Sequence, residues 1–224
     1  MLRCFLLLVM FMLPVPLIQG QDKAAARYFP LEIGKEWRYR KKVIENDKLL
    51  PAEAGVVVVR VTGVVDLPDE KNKDDKGKDD KGKDDKGKKE KLLAYTLEGT
   101  VGDKKGDNRK LVEQVAVLAD GVYRRSAAGK TITPPLAFLK LKESWPVDAV
   151  TNDTPIKGTF KLGQEDVTVP AGVFPKAVTS TADMLQIGEQ TMYVKYWFAA
   201  DVGMVKQQTR VNGYEVTLEL QQSK

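Results

Sequence analysis

The side chains available for chemistry in this chain are carboxylates, serines and lysines. Its 224 residues include no histidine and one cysteine, Cys4. Without an imidazole, Ser-His-Asp and Cys-His catalysis and histidine-ligated zinc are excluded. A hydrolase built on carboxylates, or on a serine activated by a lysine, needs no histidine. The acids that such an enzyme would draw on are Asp120, Glu143, Asp148, Asp166, Asp183, Glu189 and Asp201.

These seven acids fall mostly at expected turns or strand ends, where acidic side chains are ordinarily solvated. A catalytic pair would require two acids that face inward from neighbouring strands, and the sequence pattern predicts none. We therefore expect a protein that is not an enzyme, with no catalytic residue, no cofactor and no metal site. Ligand-binding residues cannot be assigned from the sequence. The carboxylate- or Ser-Lys-dependent hydrolase remains the alternative.

The densest charge lies in residues 69–91, which contain three tandem copies of the sequence KDDKG. Nineteen of these 23 residues are charged, ten lysines and nine acids, and none is apolar. A segment with nothing to bury does not offset its ordering entropy, so we expect a disordered charged loop inserted in the domain. The alternative is a tether for divalent ions or polyanions, although each aspartate pair is flanked by lysines, unlike a calcium loop.

Apart from this loop the chain is only mildly basic. The formal net charge of the whole chain is +5, and the charged loop contributes only +1, because it has ten lysines and nine acids. Within the loop the interleaved acids cancel the field of the lysines over a Debye length. No basic patch with interleaved aromatic residues is present in the sequence. We therefore expect no nucleic-acid partner.

The N-terminus has the features of a secretory leader. Arg3 supplies a positive start, and the apolar run from Phe5 to Ile18 is too short to span a membrane as a helix. We expect a signal peptide over residues 1–20 with cleavage after Gly20, while Ala24 and Ala26 offer a second cleavage site. The expected location is exported, periplasmic or extracellular and soluble, with no transmembrane segment after cleavage.

Residues 27–222 are expected to form a single β domain, because their apolar pattern repeats every two residues. Trp37, Tyr39 and Val43 share one face of the first strand, whereas the valine-rich Gly55 to Leu67 strand is expected to be buried on both faces, with a bulge at Gly63. The other predicted strands are Leu92 to Val101, Lys110 to Leu118, Val122 to Arg125, Thr159 to Leu162, Glu165 to Val169, Lys176 to Ala182 and Gln190 to Phe198.

The clearest local prediction is a C-terminal hairpin around Asn212-Gly213, which favours a two-residue turn. This turn sets Val211 opposite Tyr214 and, further along the same two strands, Arg210 opposite Glu215. Only Pro135 to Glu143 is expected to form a short helix. The fold class predicted is all-β and mainly antiparallel: a single curved sheet or half-barrel of about ten strands, with at most one or two short helices.

Four stretches share a pattern with small exported or lipoprotein-like bacterial β-proteins. The pattern opens with Tyr28-Phe29-Pro30-Leu31, Gly34 and Trp37-Arg38-Tyr39, and ends with Tyr196-Trp197-Phe198-Ala199 and Val202 to Lys206; between them lie Pro134 to Trp145 and Val169 to Phe174. The chain resembles this family from Tyr28 to about Leu220, excluding the charged loop. It differs at Asp201, where the family usually has glycine, and aspartate tolerates the left-handed turn expected there.

The resemblance implies a curved antiparallel sheet somewhat like the lipoprotein carriers of the bacterial envelope, and it implies no activity. The three tryptophans, Trp37, Trp145 and Trp197, are interpreted as core anchors, with a ligand platform as the alternative. The function expected is that of a non-catalytic exported protein that binds an apolar ligand, such as a lipid, or an envelope protein.

Overall fold

The structure is a computed structural model that describes residues 24–51, 54–67, 92–102 and 108–224. The predicted signal peptide, residues 1–20, and the predicted charged loop, residues 69–91, lie outside the described residues.

Nearly all described residues belong to β-strands, and one short 3-10 helix, Ala24–Tyr28, precedes them. The strands are β1 Glu36–Glu45, β2 Lys48–Leu49, β3 Gly55–Leu67, β4 Leu92–Gly102, β5 Asn108–Leu118, β6 Gly121–Ala127, β7 Lys130–Lys140, β8 Ser144–Thr151, β9 Thr154–Val169, β10 Gly172–Ile187, β11 Gln190–Ala199, β12 Gly203–Val211 and β13 Tyr214–Ser223.

The sheet closes on itself. From β3 to β13 each strand pairs antiparallel with the next, and β1 pairs with both β3 and β13. The closing ladder runs from Trp37 opposite Ser223 to Glu45 opposite Tyr214. The two-residue β2 pairs only with the end of β1. The result is an antiparallel barrel of twelve strands with one additional short strand.

The expectation of about ten strands in an open sheet or half-barrel was therefore wrong, although the all-β antiparallel class is confirmed. Two barrel strands, β7 and β8, and the short β2 were missed, and the helix predicted over Pro135 to Glu143 is instead largely β7. Pro134 and Pro135 lack the N–H groups that a helix or a continuous ladder uses. They are tolerated in β7 because this strand pairs with β8 only at Ile132 and Thr133.

Two further strand predictions need correction. Strand β3 is not buried on both faces: Val57 and Val61 are buried, whereas Val64 and Val65 are 41% and 50% exposed. The outer face of a closed sheet lies in solvent, so valine runs there report strand propensity rather than burial. The two short strands predicted on either side of Gly163 are one strand, β9. Gly163 provides space there, because a Cβ at this position would lie 2.7 Å from Thr179 Oγ1.

Several local predictions are confirmed. The C-terminal hairpin has the expected register, with Val211 opposite Tyr214 and Arg210 opposite Glu215. A register shift between Val61 and Gly63 marks the expected bulge. Trp37, Trp145 and Trp197 are each at most 4% exposed. A two-residue turn, a glycine within a strand and a large aromatic side chain are each recognisable from a few neighbouring residues, which explains why the pattern was sufficient.

The two ends of the barrel differ. Five tight turns lie at one end, here called the hairpin end, at residues 46–47, 128–129, 152–153, 188–189 and 212–213. The 3-10 helix lies at the opposite, helix end, where Ala25 is fully buried. There the Asp201 backbone N–H donates to the Arg27 carbonyl oxygen at 2.6 Å. The helix is thus fixed to the turn between β11 and β12.

The barrel interior next to the helix is filled by an aromatic cluster, defined as Phe29, Trp37, Phe138, Tyr196 and Phe198. Ring centroids of Phe29 lie 5.8 Å from those of Trp37 and 5.7 Å from those of Phe138. Phe138 in turn lies 5.6 Å from Tyr196. Aromatic pairs at these distances add to the energy of burial. The cluster is the packed core of the helix end.

Side-chain hydrogen bonds reinforce this core where backbone pairing is sparse. The Trp145 indole on β8 donates to the Ala137 carbonyl oxygen on β7 at 2.9 Å, across the pair of strands that share only two ladder positions. The Trp37 indole donates to the Val202 carbonyl oxygen at 2.7 Å. Buried carbonyls without a partner are costly, so each indole has a structural role in addition to its bulk.

We predict that Gly203→Ala destabilises the barrel more than Gly129→Ala. Both glycines have positive φ, +107° and +76°, so alanine is strained at either position by about 1–2 kcal/mol. At Gly203 the added Cβ would also lie 3.0 Å from Trp37 Nε1, whereas at Gly129 it would meet nothing within 4 Å. Overpacking adds about 1–3 kcal/mol. Urea denaturation of both variants measures the difference, and equal losses would contradict the proposed contact.

Candidate functional site

Beyond the aromatic cluster the barrel interior is not filled by side chains. A first chamber of about 260 Å³ lies between the aromatic cluster and the strands β3, β4, β5 and β13. Its apolar wall consists of Val57, Val59, Leu97, Leu111, Val115 and Leu218. Leu111 is 42% exposed although it lines this chamber, which shows that solvent reaches the lumen at that point.

A second chamber of about 280 Å³ lies on the opposite side of the lumen, against strands β6 to β11. Its apolar wall consists of Ile132, Leu136, Ile156, Phe160, Leu185, Ile187, Met192 and Val194. Lys130 and Thr151, which adjoin two of the turns at the hairpin end, line it as well. This chamber therefore extends to the end of the barrel opposite the helix.

Two polar side chains, Arg124 and Gln207, line both chambers and separate them. Arg124 Nε donates to Glu113 Oε2 at 3.0 Å, and the guanidinium lies 5.1 Å from the ring centroid of Phe138. Burial lowers the pKa of Arg124, but the Glu113 carboxylate and the Tyr196 phenol outweigh it and leave the pKa raised. The Arg124 guanidinium in the lumen is therefore always charged, and its partner Glu113 lies on the side of the first chamber.

Two hydroxyl groups accompany this pair in the interior. The Tyr39 hydroxyl donates to the Met204 carbonyl oxygen at 2.9 Å, and burial raises its pKa, so the phenol is neutral. Ser180 lies directly across from Tyr196 on the neighbouring strand and is fully buried. Its hydroxyl oxygen has no hydrogen-bond partner among the described residues.

The seven acids considered for a hydrolase all lie on the exposed surface, outside both chambers. Asp120 pairs with Lys140 at 2.9 Å and Asp201 with Arg27 at 3.5 Å, as expected for acids at turns. Asp201 has a φ of +64°, which confirms the left-handed turn predicted there. Within the part of the chain that the structure describes, no three metal-ligating side chains converge.

Sequence reasoning missed the polar groups that do face the lumen: Glu113, Arg124 and Gln207. The signal was present, because side chains two apart on a strand share a face. Arg124 lies two residues from buried Val122, and Glu113 lies two residues from buried Val115. Neither was singled out from the sequence, because charged side chains are mostly exposed. The contact between Arg124 and Glu113 follows only from the pairing of β5 with β6.

The outer wall carries a separate cluster of charges around Trp197. The Trp197 ring lies 4.8 Å from Lys195 Nζ and 5.0 Å from Lys206 Nζ, and its indole donates to Glu165 Oε1 at 2.5 Å. Trp197 is thus buried beneath charged side chains on the outside of the barrel. It acts as a structural anchor there, consistent with the interpretation from the sequence.

Glu219 lies next to this cluster, on the outer face of β13. Its side chain adds ion pairs to the backbone pairing between β1 and β13. Arg40 and Lys42 of β1 lie 2.6 Å and 2.9 Å from its carboxylate. Burial raises the pKa of Glu219, but the hydrogen bonds from Arg40 and Lys42 outweigh it, so the pKa lies below 4.5. The carboxylate is therefore ionised in the folded protein down to acidic pH.

A larger cleft of about 590 Å³ lies on the outer surface of the hairpin end, beside the turns at residues 46–47 and 212–213. Arg210, Glu215 and Asn46 are among its lining residues. Arg210 Nε donates to Glu215 Oε2 at 2.8 Å, so the one cation among the described residues that line this cleft is already paired. The two chambers are less open to solvent than this cleft, and their walls are more apolar, so they offer the better conditions for holding a ligand away from water.

Comparison with known proteins supports the architecture. No protein-family model and no curated protein matches the sequence. A solved structure of a candidate lipoprotein from Parabacteroides distasonis ATCC 8503 aligns with 88% of this chain and 98% of its own length, at 13% identity and a TM-score of 0.50. A candidate exported protein with a YmcC-like fold from Bacteroides fragilis NCTC 9343 aligns over the same shares at 12% identity and a TM-score of 0.39.

At this level of identity, the first likeness concerns the fold alone. It agrees with the kind of β-protein that the sequence resemblance implies, whereas the shared sequence pattern stays a prediction. Among the described residues there is no helix with the length and hydropathy needed to cross a membrane.

We predict that Glu219→Gln lowers the free energy of unfolding at pH 7 by about 1–2 kcal/mol, because charge-assisted hydrogen bonds from β1 are lost. The folded pKa lies below the unfolded value of about 4.5, so this contribution is complete above pH 4.5 and disappears as the pH falls through the folded pKa. Urea denaturation between pH 7 and pH 3 measures it.

The control is Glu189→Gln, an exposed acid at a turn, which is expected to change stability by less than about 0.5 kcal/mol at pH 7. A difference between the wild type and Glu219→Gln that persists undiminished at pH 3 would contradict the assignment.

Proposed function

We propose that this chain is an exported, non-catalytic β-barrel that binds an apolar ligand in its lumen. The observation that carries the proposal is the pair of chambers of about 260 and 280 Å³, both walled mainly by aliphatic and aromatic side chains. Ligand pockets in proteins combine such walls with a few convergent polar groups. Arg124, Glu113 and Gln207 supply those groups here.

The energetic basis is the replacement of solvent by an apolar ligand. Water has few hydrogen-bond partners against walls of leucine, isoleucine and valine, so apolar cavities hold it weakly. An apolar ligand would remove both its own surface and the chamber walls from water, which contributes about 25 cal/mol per Å² buried. A barrel closed at one end by its aromatic cluster would hold such a ligand in the remaining space.

The proposal is non-catalytic because of where the acids lie. All seven candidate acids are on the exposed surface, and the carboxylate in the lumen, Glu113, is bound by Arg124. The carboxylate form of the hydrolase alternative would require an activity that is lost on substitution of one of these eight acids. A broad hydrolase screen tests for any such activity, including that of a Ser-Lys enzyme. Binding of an envelope protein remains the outcome favoured if the lumen takes no ligand.

Export is proposed from the apolar leader in the sequence, and the likeness to the solved structure described as a candidate lipoprotein supports it. The structure bears on the cleavage site. Ala25 is fully buried, and the Arg27 carbonyl binds Asp201. Cleavage after Ala26 would remove the buried Ala25, whereas cleavage after Gly20 would retain it.

We therefore predict that the exported protein begins at Gln21. N-terminal sequencing and intact mass of protein recovered from the periplasm or medium of an expressing bacterium measure this directly. A mature chain that begins at Arg27, or one that retains residues 1–20, would contradict the prediction.

We predict that Leu111→Trp weakens binding of an uncharged apolar fluorescent probe, such as a pyrene-labelled alkane, by at least about tenfold. The indole would occupy the first chamber, which Leu111 lines. The matched control is Val112→Trp on the outer face of the same strand. The two residues are 42% and 38% exposed, so the surface cost of each change is similar.

Fluorescence titration of the purified, lipid-extracted protein gives the affinities, and native mass spectrometry before extraction shows whether a lipid co-purifies. If neither the probes nor a panel of lipids binds the wild type, the proposed function is wrong. Equal weakening by both tryptophan variants would place the binding site outside the first chamber.

A further inference from the structure

We propose that the second chamber selects a single-chain amphiphile with an anionic head, and that Arg124 binds the head. This inference rests on the proposed function, which concerns only an apolar ligand, and adds the charge and the position of the ligand's polar end. The shared chemistry is an anionic head on one acyl chain. A free fatty acid and a phosphate-bearing lipid would both supply it.

The charges that line the second chamber carry this inference. Its two charged lining residues are the cations Arg124 and Lys130, and no carboxylate of the described residues lines it. The carboxylate that pairs with Arg124, that of Glu113, lines the first chamber instead. In an apolar enclosure, an uncompensated positive potential on one side of a guanidinium favours an anion on that side.

Arg124 also has hydrogen-bond donors that the ion pair does not use. A guanidinium carries five N–H donors in one plane, and the bond to Glu113 engages Nε. Tyr196 and Gln207 line the second chamber beside Arg124, so an anion there would meet a phenol and an amide as well. Such a set of planar donors matches the oxygens of a carboxylate or phosphate.

Lys130 has a different place and a different role. It is the first residue of β7, follows the turn at residues 128–129, and is exposed at the hairpin end. It forms no ion pair with any acid in the described part of the chain. A cation at the mouth of a chamber raises the rate of anion entry more than the final affinity. We therefore assign the head to Arg124 and the attraction at entry to Lys130.

The size of the chamber limits the acyl chain. A volume of about 280 Å³ corresponds to about nine water-sized groups at ~30 Å³ each, and a methylene group is of similar size. The wall includes Met192, whose flexible side chain adapts to irregular ligands. The aliphatic part of a ten-carbon fatty acid, about nine carbons, therefore matches the volume of the second chamber.

The test uses four probes that share a ten-carbon chain: decanoate, decyl phosphate, decanol and decyltrimethylammonium. Isothermal titration calorimetry of the lipid-extracted protein at pH 7 gives each affinity. We expect at least one anion to bind at least tenfold more tightly than decanol, and the cation to bind most weakly. Tighter binding of decanoate points to a free fatty acid as the natural ligand, and tighter binding of decyl phosphate to a phosphate-bearing lipid.

Variants assign the roles. Arg124→Gln is expected to weaken the anion about tenfold or more and to leave decanol unchanged, and Arg124→Lys is expected to restore part of the loss. If Arg124→Gln does not fold, the double variant Glu113→Gln with Arg124→Gln removes both charges together.

Lys130→Gln should slow association of the anion several-fold in stopped-flow measurements and remove most of the salt dependence of the association rate. The control is Lys157→Gln, next to Ile156 but exposed on the outer face.

The outcomes separate the two proposals. If none of the four probes binds, the proposed function fails. If decanol binds as tightly as both anions, or if the cation binds best, the lumen takes apolar ligands but the inferred anionic head is wrong. An anion preference that survives the removal of the Arg124 charge would also overturn the assignment.

Discussion

The number of strands in the barrel sets the conditions for everything inside it. The diameter of a closed sheet grows with strand number, and about eight strands give an interior that side chains just fill. Twelve strands enclose more space than that. The protein fills part of this space with the aromatic cluster and seals the helix end with a 3-10 helix on which Ala25 is fully buried. The two chambers are what this filling leaves.

The contact between Arg124 and Glu113 is an ion pair in a mainly apolar interior. Ions removed from water cost free energy that a single partner seldom offsets in full, so such a pair is weak evidence for stability. Its position is more informative, because Arg124 reaches both chambers while Glu113 reaches one. The pair thereby gives the two chambers different electrostatic character within one continuous barrel.

The sequence predicted the features that short-range pairing determines. The turn at Asn212-Gly213 fixed the register of β12 and β13, and the strand class followed from the alternation of apolar residues. Closure was not predictable in the same way, because the partner of β1 lies at the other end of the chain. Part of strand β7 was mistaken for a helix because the spacing of Leu136 and Leu139 also fits a helical face. Only the pairing of β7 with β6 and β8 shows that Pro134 and Pro135 lie outside both ladders. The partner of the lumen-facing Arg124, Glu113, can be identified only once β5 and β6 are known to pair.

The closing ladder also has a consequence for how the molecule is assembled. Arg40 and its partner Glu219 are 179 residues apart, so β1 has one unpaired edge until the last strand of the chain is available. Contacts of such separation carry a large loop-closure entropy and form slowly. An unpaired edge accepts strands from other molecules in the meantime. Correct folding therefore competes with intermolecular association for as long as β13 is absent, and the yield of monomer depends on the concentration of unfinished chains.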